Sequence, residues 1–227
     1  MAIKTKFFYL SVISLLSPVL LNPNIANADP KTDISNYEAA ADTGDFKKAI
    51  ELGEIAFTNA KRDLDPKNPY IAKIGFDLAN LYIQNYDDIN AYTPISTTLK
   101  LLQDNPNLAV NSDMKQVEAI YAISLFAVEG KDNEKYKLST VKLLENAVKK
   151  LPLDFENSEY AVRINYDLSI YYSKQNDWAN LSKYSNDLVK SIFIAYPNDV
   201  TSQNRYLFLG YSLRGTSTFV ANLRSAN

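Results

Sequence analysis

Two oppositely charged pairs could do chemistry in this chain. Lys73 lies four residues before Asp77, and Arg163 lies four before Asp167, ninety residues further on. Carboxylates matter here because the sequence has no histidine and no cysteine. The usual general base, the thiol nucleophile and the usual zinc ligands are therefore missing. There is no glycine-rich phosphate loop, and Asp132-Asn133-Glu134 lacks the alternating oxygen ligands of a calcium loop. What remains is glycosidic cleavage by one or two acids, with Asp77 and Asp167 as candidates and cell-wall glycan as the substrate class. The spacing fits a plainer role better. A cation four residues before an acid is a helical ion pair worth a few tenths of a kcal/mol, and acids that recur with a scaffold belong to the scaffold. The chain is accordingly read as a non-enzyme with no cofactor and no metal.

The two pairs sit inside a duplication. Tyr70 to Asn90 reads YIAKIGFDLANLYIQNYDDIN, and Tyr160 to Asn180 reads YAVRINYDLSIYYSKQNDWAN. Tyr70/Tyr160, Ile74/Ile164, Asp77/Asp167, Leu78/Leu168, Tyr82/Tyr172, Asp87/Asp177 and Asn90/Asn180 are identical. Half that offset, forty-five residues, places Phe76 on Tyr121, Leu78 on Ile123 and Ala79 on Ser124, so a third copy is expected between them. An earlier unit is visible where Gly44-Asp45-Phe46 lines up with Asn176-Asp177-Trp178. A repeat at fixed spacing means that one supersecondary unit is stacked on the next.

The units read as helical. Apolar residues recur at three- and four-residue steps, only six glycines occur, and no stretch alternates with period two. Helix starts are expected at Asn68-Pro69, Asn157-Ser158 and Thr201-Ser202. The expected units span 33–62, 69–104, 113–150 and 158–195, with terminal helices over 202–223 carrying Leu209-Gly210 in the place of Leu78-Ala79. Pro94 either opens a helix or kinks one. Extra polar residues from Glu129 to Lys135 lengthen the third turn. The fold class is all-α.

A helix, a tight turn at Gly44-Asp45-Phe46 and a second helix bearing Ala49 and Ala56 resemble a tetratricopeptide repeat. So does Leu78-Ala79-x-x-Tyr82 followed by Ala91. The longer spacing is similar to the kinesin-light-chain variety. The resemblance implies a superhelical solenoid of helix hairpins, with the first helix of each hairpin lining a concave, peptide-receiving side. Lys73, Phe76, Asp77, Asn80 and Gln84 would share that side in one unit. Arg163, Tyr166, Asp167, Ile170 and Lys174 would share it in another, with Tyr121 and Leu125 between. Rigid aromatics mixed with charges suit a protein or peptide partner. Two other readings stand beside it: the glycan hydrolase or lyase above, and an architectural subunit that assembles through its outer faces. Equally, Phe76 and Tyr166 can simply pack against neighbouring units.

Lys4 and Lys6, the apolar run Phe7 to Leu21 and Ala26-Asn27-Ala28 form the pattern of a secretory leader cleaved after Ala28. The apolar run, with Pro18 inside it, is shorter than the roughly 20 residues that span a bilayer. The expected product, residues 29–227, is one domain in the periplasm or outside the cell, without an integral membrane segment. Losing the leader takes formal charge from −2 to −4. A mildly acidic chain argues against a nucleic-acid partner. Oligomeric state is left open by the sequence.

Overall fold

Among the described residues the protein is helical, with successive helices packed on one another. The computed structural model describes residues 29–108, 114–130, 136–154 and 157–225. Among them the elements are helices α1 (Pro30–Asp42), α2 (Phe46–Asp63), α3 (Pro69–Gln84), α4 (Asp88–Asp104), α5 (Met114–Gly130), α6 (Leu138–Lys150), α7 (Ser158–Lys174), α8 (Trp178–Ala195) and α9 (Val200–Ser225). No strand occurs among the described residues. The leader (1–28) and most of the lengthened third turn (131–135) lie outside them.

The residues divide into two compact units at Asp113/Met114. In the first, α1 to α4 pack each on the next. In the second, α5 to α8 form two further hairpins, α5 also touches α7, and α9 lies on α8 and reaches α7.

Three of the hairpin turns are built alike. Gly44 (φ 79), Tyr86 (φ 61) and Asn176 (φ 58) each take the left-handed conformation just after the first helix. The next residue, Asp45, Asp87 or Asp177, donates its backbone N–H back to Ala40, Tyr82 or Tyr172. The same aspartates then cap the second helix, accepting from the N–H groups of Lys48, Asn90 and Asn180. A left-handed residue closes one helix and an Asp opens the next.

Burial repeats as well. Over α3, residues 71–80 follow an order of buried and half-buried positions that residues 161–170 of α7 reproduce in full. Residues 116–125 of α5 reproduce it everywhere except Ala122, which is buried where Asp77 and Asp167 are half-buried. The forty-five-residue step is therefore a packing period. Leu78, Ile123 and Leu168 are all at most 2% exposed.

Pro94 lies inside α4, which runs unbroken from Asp88 to Asp104, so it does not open the helix. Ala91 keeps its fully buried place against α3. Asn68 caps α3 as expected, accepting from the Tyr70 N–H at 3.0 Å. α7 starts at Ser158 as expected, with Asn157 at the N-cap position, but the Asn157 side chain accepts from none of its N–H groups. Its side chain is spent on Asp154 (2.7 Å) and on Gln116 of α5 (3.1 Å). α9 opens earlier than Thr201, with Asp199 accepting from the Thr201 and Ser202 N–H groups.

Candidate functional site

In the first unit, Lys73, Phe76, Asp77, Asn80 and Gln84 share one side of α3, and all five are half-buried. That side faces α1. Lys73 Nζ donates to Asp77 at 2.7 Å and to Glu38 of α1 at 3.2 Å. The buried Tyr37 of α1 donates its hydroxyl to the same Asp77 oxygen at 2.6 Å. Burial acts against the charge on Lys73, but Asp77 and then Glu38 outweigh it and raise its pKa above the ordinary lysine value. Asp77 is thus a fixed acceptor in a tyrosine–lysine–carboxylate network. The Gln84 side-chain oxygen is buried and receives no hydrogen bond in the described structure.

In the second unit, α5 carries Tyr121 and Leu125 and packs on α7, which carries Arg163, Tyr166, Asp167 and Ile170. All six are half-buried, while Lys174 at the end of α7 is exposed. The Tyr166 ring lies against a core formed by Val162, Leu188, Ile192 and Ala195, alongside Tyr196 and Leu207. For Tyr166 the packing role expected as an alternative is real, and the rest of its surface faces outward.

The opposite side of the same helices carries a feature that sequence spacing concealed. Tyr82 of α3 donates its hydroxyl to Glu54 of α2. Tyr172 of α7 donates to Glu145 of α6 at 2.8 Å. The tyrosines are ninety residues apart and the glutamates ninety-one, so one shift in register hides the second half of the pair. Tyr82 is buried as expected, but Tyr172 is half-exposed. From Tyr172 a run of rings extends both ways. Tyr184 stacks at 5.6 Å, Tyr171 meets it edge-on at 5.1 Å, Tyr136 meets Tyr171 at 6.1 Å, and Phe126 stacks on Tyr136 at 3.9 Å.

Among the described residues, no group of three or more His, Cys, Asp or Glu is placed to hold a metal ion. No described helix is long and apolar enough to cross a membrane. Compared with protein-family models, with curated proteins and with solved structures, the chain matches none.

Proposed function

We infer that this is an exported, non-catalytic, tetratricopeptide-like module that holds a protein or peptide partner of the cell envelope. The partner would lie against the first helices of the hairpins within a unit, α3 in the first or α5 and α7 in the second. The observation that carries this reading is the recurrence of one burial pattern in α3, α5 and α7. It leaves Phe76, Tyr121 and Tyr166 half-exposed at the same register each time. Aromatic rings held rigid by a helix lose little entropy on binding and make good anchors. In the second unit α5, with Tyr121 and Leu125, packs on α7, which carries Ile170.

Export rests on the leader pattern at residues 1–28. Absence of catalysis rests on the missing histidine and cysteine and on the commitment of Asp77 to Tyr37 and Lys73.

The test is cross-linking of the purified protein to an extract of its own envelope. Tyr121→Ala and Phe76→Ala should each reduce capture, whereas Leu143→Ala, an exposed change on α6, should not. Equal capture by all three would refute the reading. In parallel, incubation with cell-wall glycan should release nothing. Fragments that disappear in Asp77→Asn or Asp167→Asn would make the protein a glycan-cleaving enzyme instead.

A further inference from the structure

The aromatic run on the side of α7 away from Tyr166 holds more chemistry than packing requires. Phe126 shows that a plain ring serves for packing, yet the four rings that follow it, Tyr136, Tyr171, Tyr172 and Tyr184, are all phenols. Along the run consecutive ring centroids lie 3.9, 6.1, 5.1 and 5.6 Å apart. Rings this close exchange an electron directly. Tyr136, Tyr171 and Tyr172 are half-buried and reach solvent, whereas Phe126 and Tyr184 are buried.

Losing an electron turns a phenol into a strong acid, so its oxidation is eased by a base already placed to take the proton. Tyr172 has one, because its hydroxyl donates to Glu145 Oε1 at 2.8 Å. Tyr184 donates to the same oxygen at 2.8 Å and holds that carboxylate in position. A cation separates the two phenols in ease of oxidation. Lys183 Nζ lies 4.4 Å from the Tyr184 ring centroid and donates to the Tyr184 hydroxyl at 3.2 Å. Positive charge there resists the removal of an electron. Each phenol also has a second carboxylate near it, Asp177 for Tyr172 and Asp187 for Tyr184, so Lys183 is what distinguishes them. Tyr172 is the easier of the two to oxidise.

We propose that this run is a one-electron oxidation site for small diffusible radical oxidants of the carbonate-radical class. Tyr136 or Tyr171 meets the oxidant at the surface and gives up one electron, which Tyr172 replaces. As it does so, the Tyr172 phenol passes its proton to the Glu145 carboxylate. The products are a neutral tyrosyl radical at Tyr172, a neutral carboxylic acid at Glu145 and the reduced oxidant, carbonate. An electron from a small reductant of the ascorbate class, with the proton returned by Glu145, restores the phenol. This activity is separate from partner binding on the faces of α3, α5 and α7.

The test exposes the purified protein to carbonate radical generated by a light flash, with freeze-quenched electron paramagnetic resonance as readout. The unaltered protein should give a tyrosyl signal that Tyr172→Phe reduces at least about fivefold. Tyr82→Phe and Tyr86→Phe should leave it unchanged. Glu145→Gln keeps an acceptor for both hydroxyls but takes no proton. It should slow the appearance of the signal about a hundredfold, the low end of what a positioned base contributes. In heavy water the unaltered protein should form the radical about twofold more slowly, a measurement that needs no variant to fold. A signal that survives Tyr172→Phe at full strength overturns the proposal, as does one that follows Tyr82 or Tyr86 instead. So does a rate that is unchanged in heavy water.

Discussion

Tyr172 and Tyr184, on consecutive helices, donate their hydroxyls to the same oxygen of Glu145, each at 2.8 Å. Their rings stack at 5.6 Å with 6° between the planes, so one carboxylate on α6 fastens the hairpin that follows. Removing the acceptor leaves two hydroxyls short of a partner, and Tyr184 is only 1% exposed. Stranding a buried polar group costs about 1–3 kcal/mol. Glu145→Ala should therefore lower stability by about 2 kcal/mol, read as a reduced denaturant midpoint. Glu54→Ala, which removes the acceptor of Tyr82 alone from an exposed position, should cost less than half as much. Equal losses would mean that the shared acceptor adds nothing.

The same contacts set the alkaline limit. Burial, followed by the neighbouring glutamate, pushes the phenols of Tyr82, Tyr172 and Tyr184 well above the ordinary value of 10.0. Above pH 10 the unfolded chain releases those protons while the folded chain keeps them, so the unfolded state binds fewer and stability falls as pH rises. Stability from these groups is complete below pH 10 and declines progressively above it. Thermal midpoints should drop through that range. The decline should be shallower in the Tyr172→Phe/Tyr184→Phe double variant, which lacks two of the three phenols. A phenolate absorbance titration should show a late-titrating fraction that shrinks in the same variant.

Gly44 tests the turn. A Cβ added there would meet nothing within 4 Å, so any cost of Gly44→Ala comes from the backbone alone. At φ 79 an ordinary residue pays about 1–2 kcal/mol, partly offset by a less flexible unfolded chain. A net loss of about 1 kcal/mol is expected. Gly44→Asn should cost less, since Asn176 takes the equivalent place in the α7–α8 turn. Comparable losses for Ala and Asn would rule out backbone conformation as the cause.

Much of this architecture could be read from residue order alone, because it depends on period. Leu78, Ile123 and Leu168 recur at forty-five-residue steps, and the packing of α3, α5 and α7 recurs with them. Gly44 and Asn176 marked turns through their tolerance of positive φ, which Tyr86 at the same place did not advertise. What stayed hidden depends on pairing across helices. Tyr37 reaches Asp77 over forty residues, and Glu145 meets Tyr172 one register step away from the position that Glu54 would suggest. Asn157 looked like a cap because its residue type caps, but a buried Gln116 claimed its side chain first.

The duplicated helices differ most where α3 crosses α4, and that crossing makes a sharp prediction. Gly75 and Asn165 hold the same register ninety residues apart. At Gly75 a Cβ would meet Thr98 Oγ1 at 2.5 Å, Phe57 at 3.0 Å and the Pro94 carbonyl at 3.0 Å. Two of these neighbours resist movement. Thr98 is pinned by hydrogen bonds to the Pro94 and Ala72 carbonyls at 3.0 and 3.2 Å, and the Pro94 carbonyl is backbone. Asn165, by contrast, is accommodated against α8, where it donates to Ser191 at 3.4 Å. Overpacking a core by a methyl group costs about 1–3 kcal/mol, and the rigid surroundings place Gly75→Ala at the upper end, about 3 kcal/mol. Gly53→Ala makes the comparison: its Cβ would crowd the end of the Leu78 side chain at 3.1 Å and lie at ordinary contact, 3.8 and 3.9 Å, from Leu78 Cβ and Cγ, so its cost should stay below about 1 kcal/mol. Denaturant unfolding of both variants decides the matter. If Gly75→Ala is no worse than Gly53→Ala, α4 yields at Pro94, and the tight crossing does not hold the first unit together.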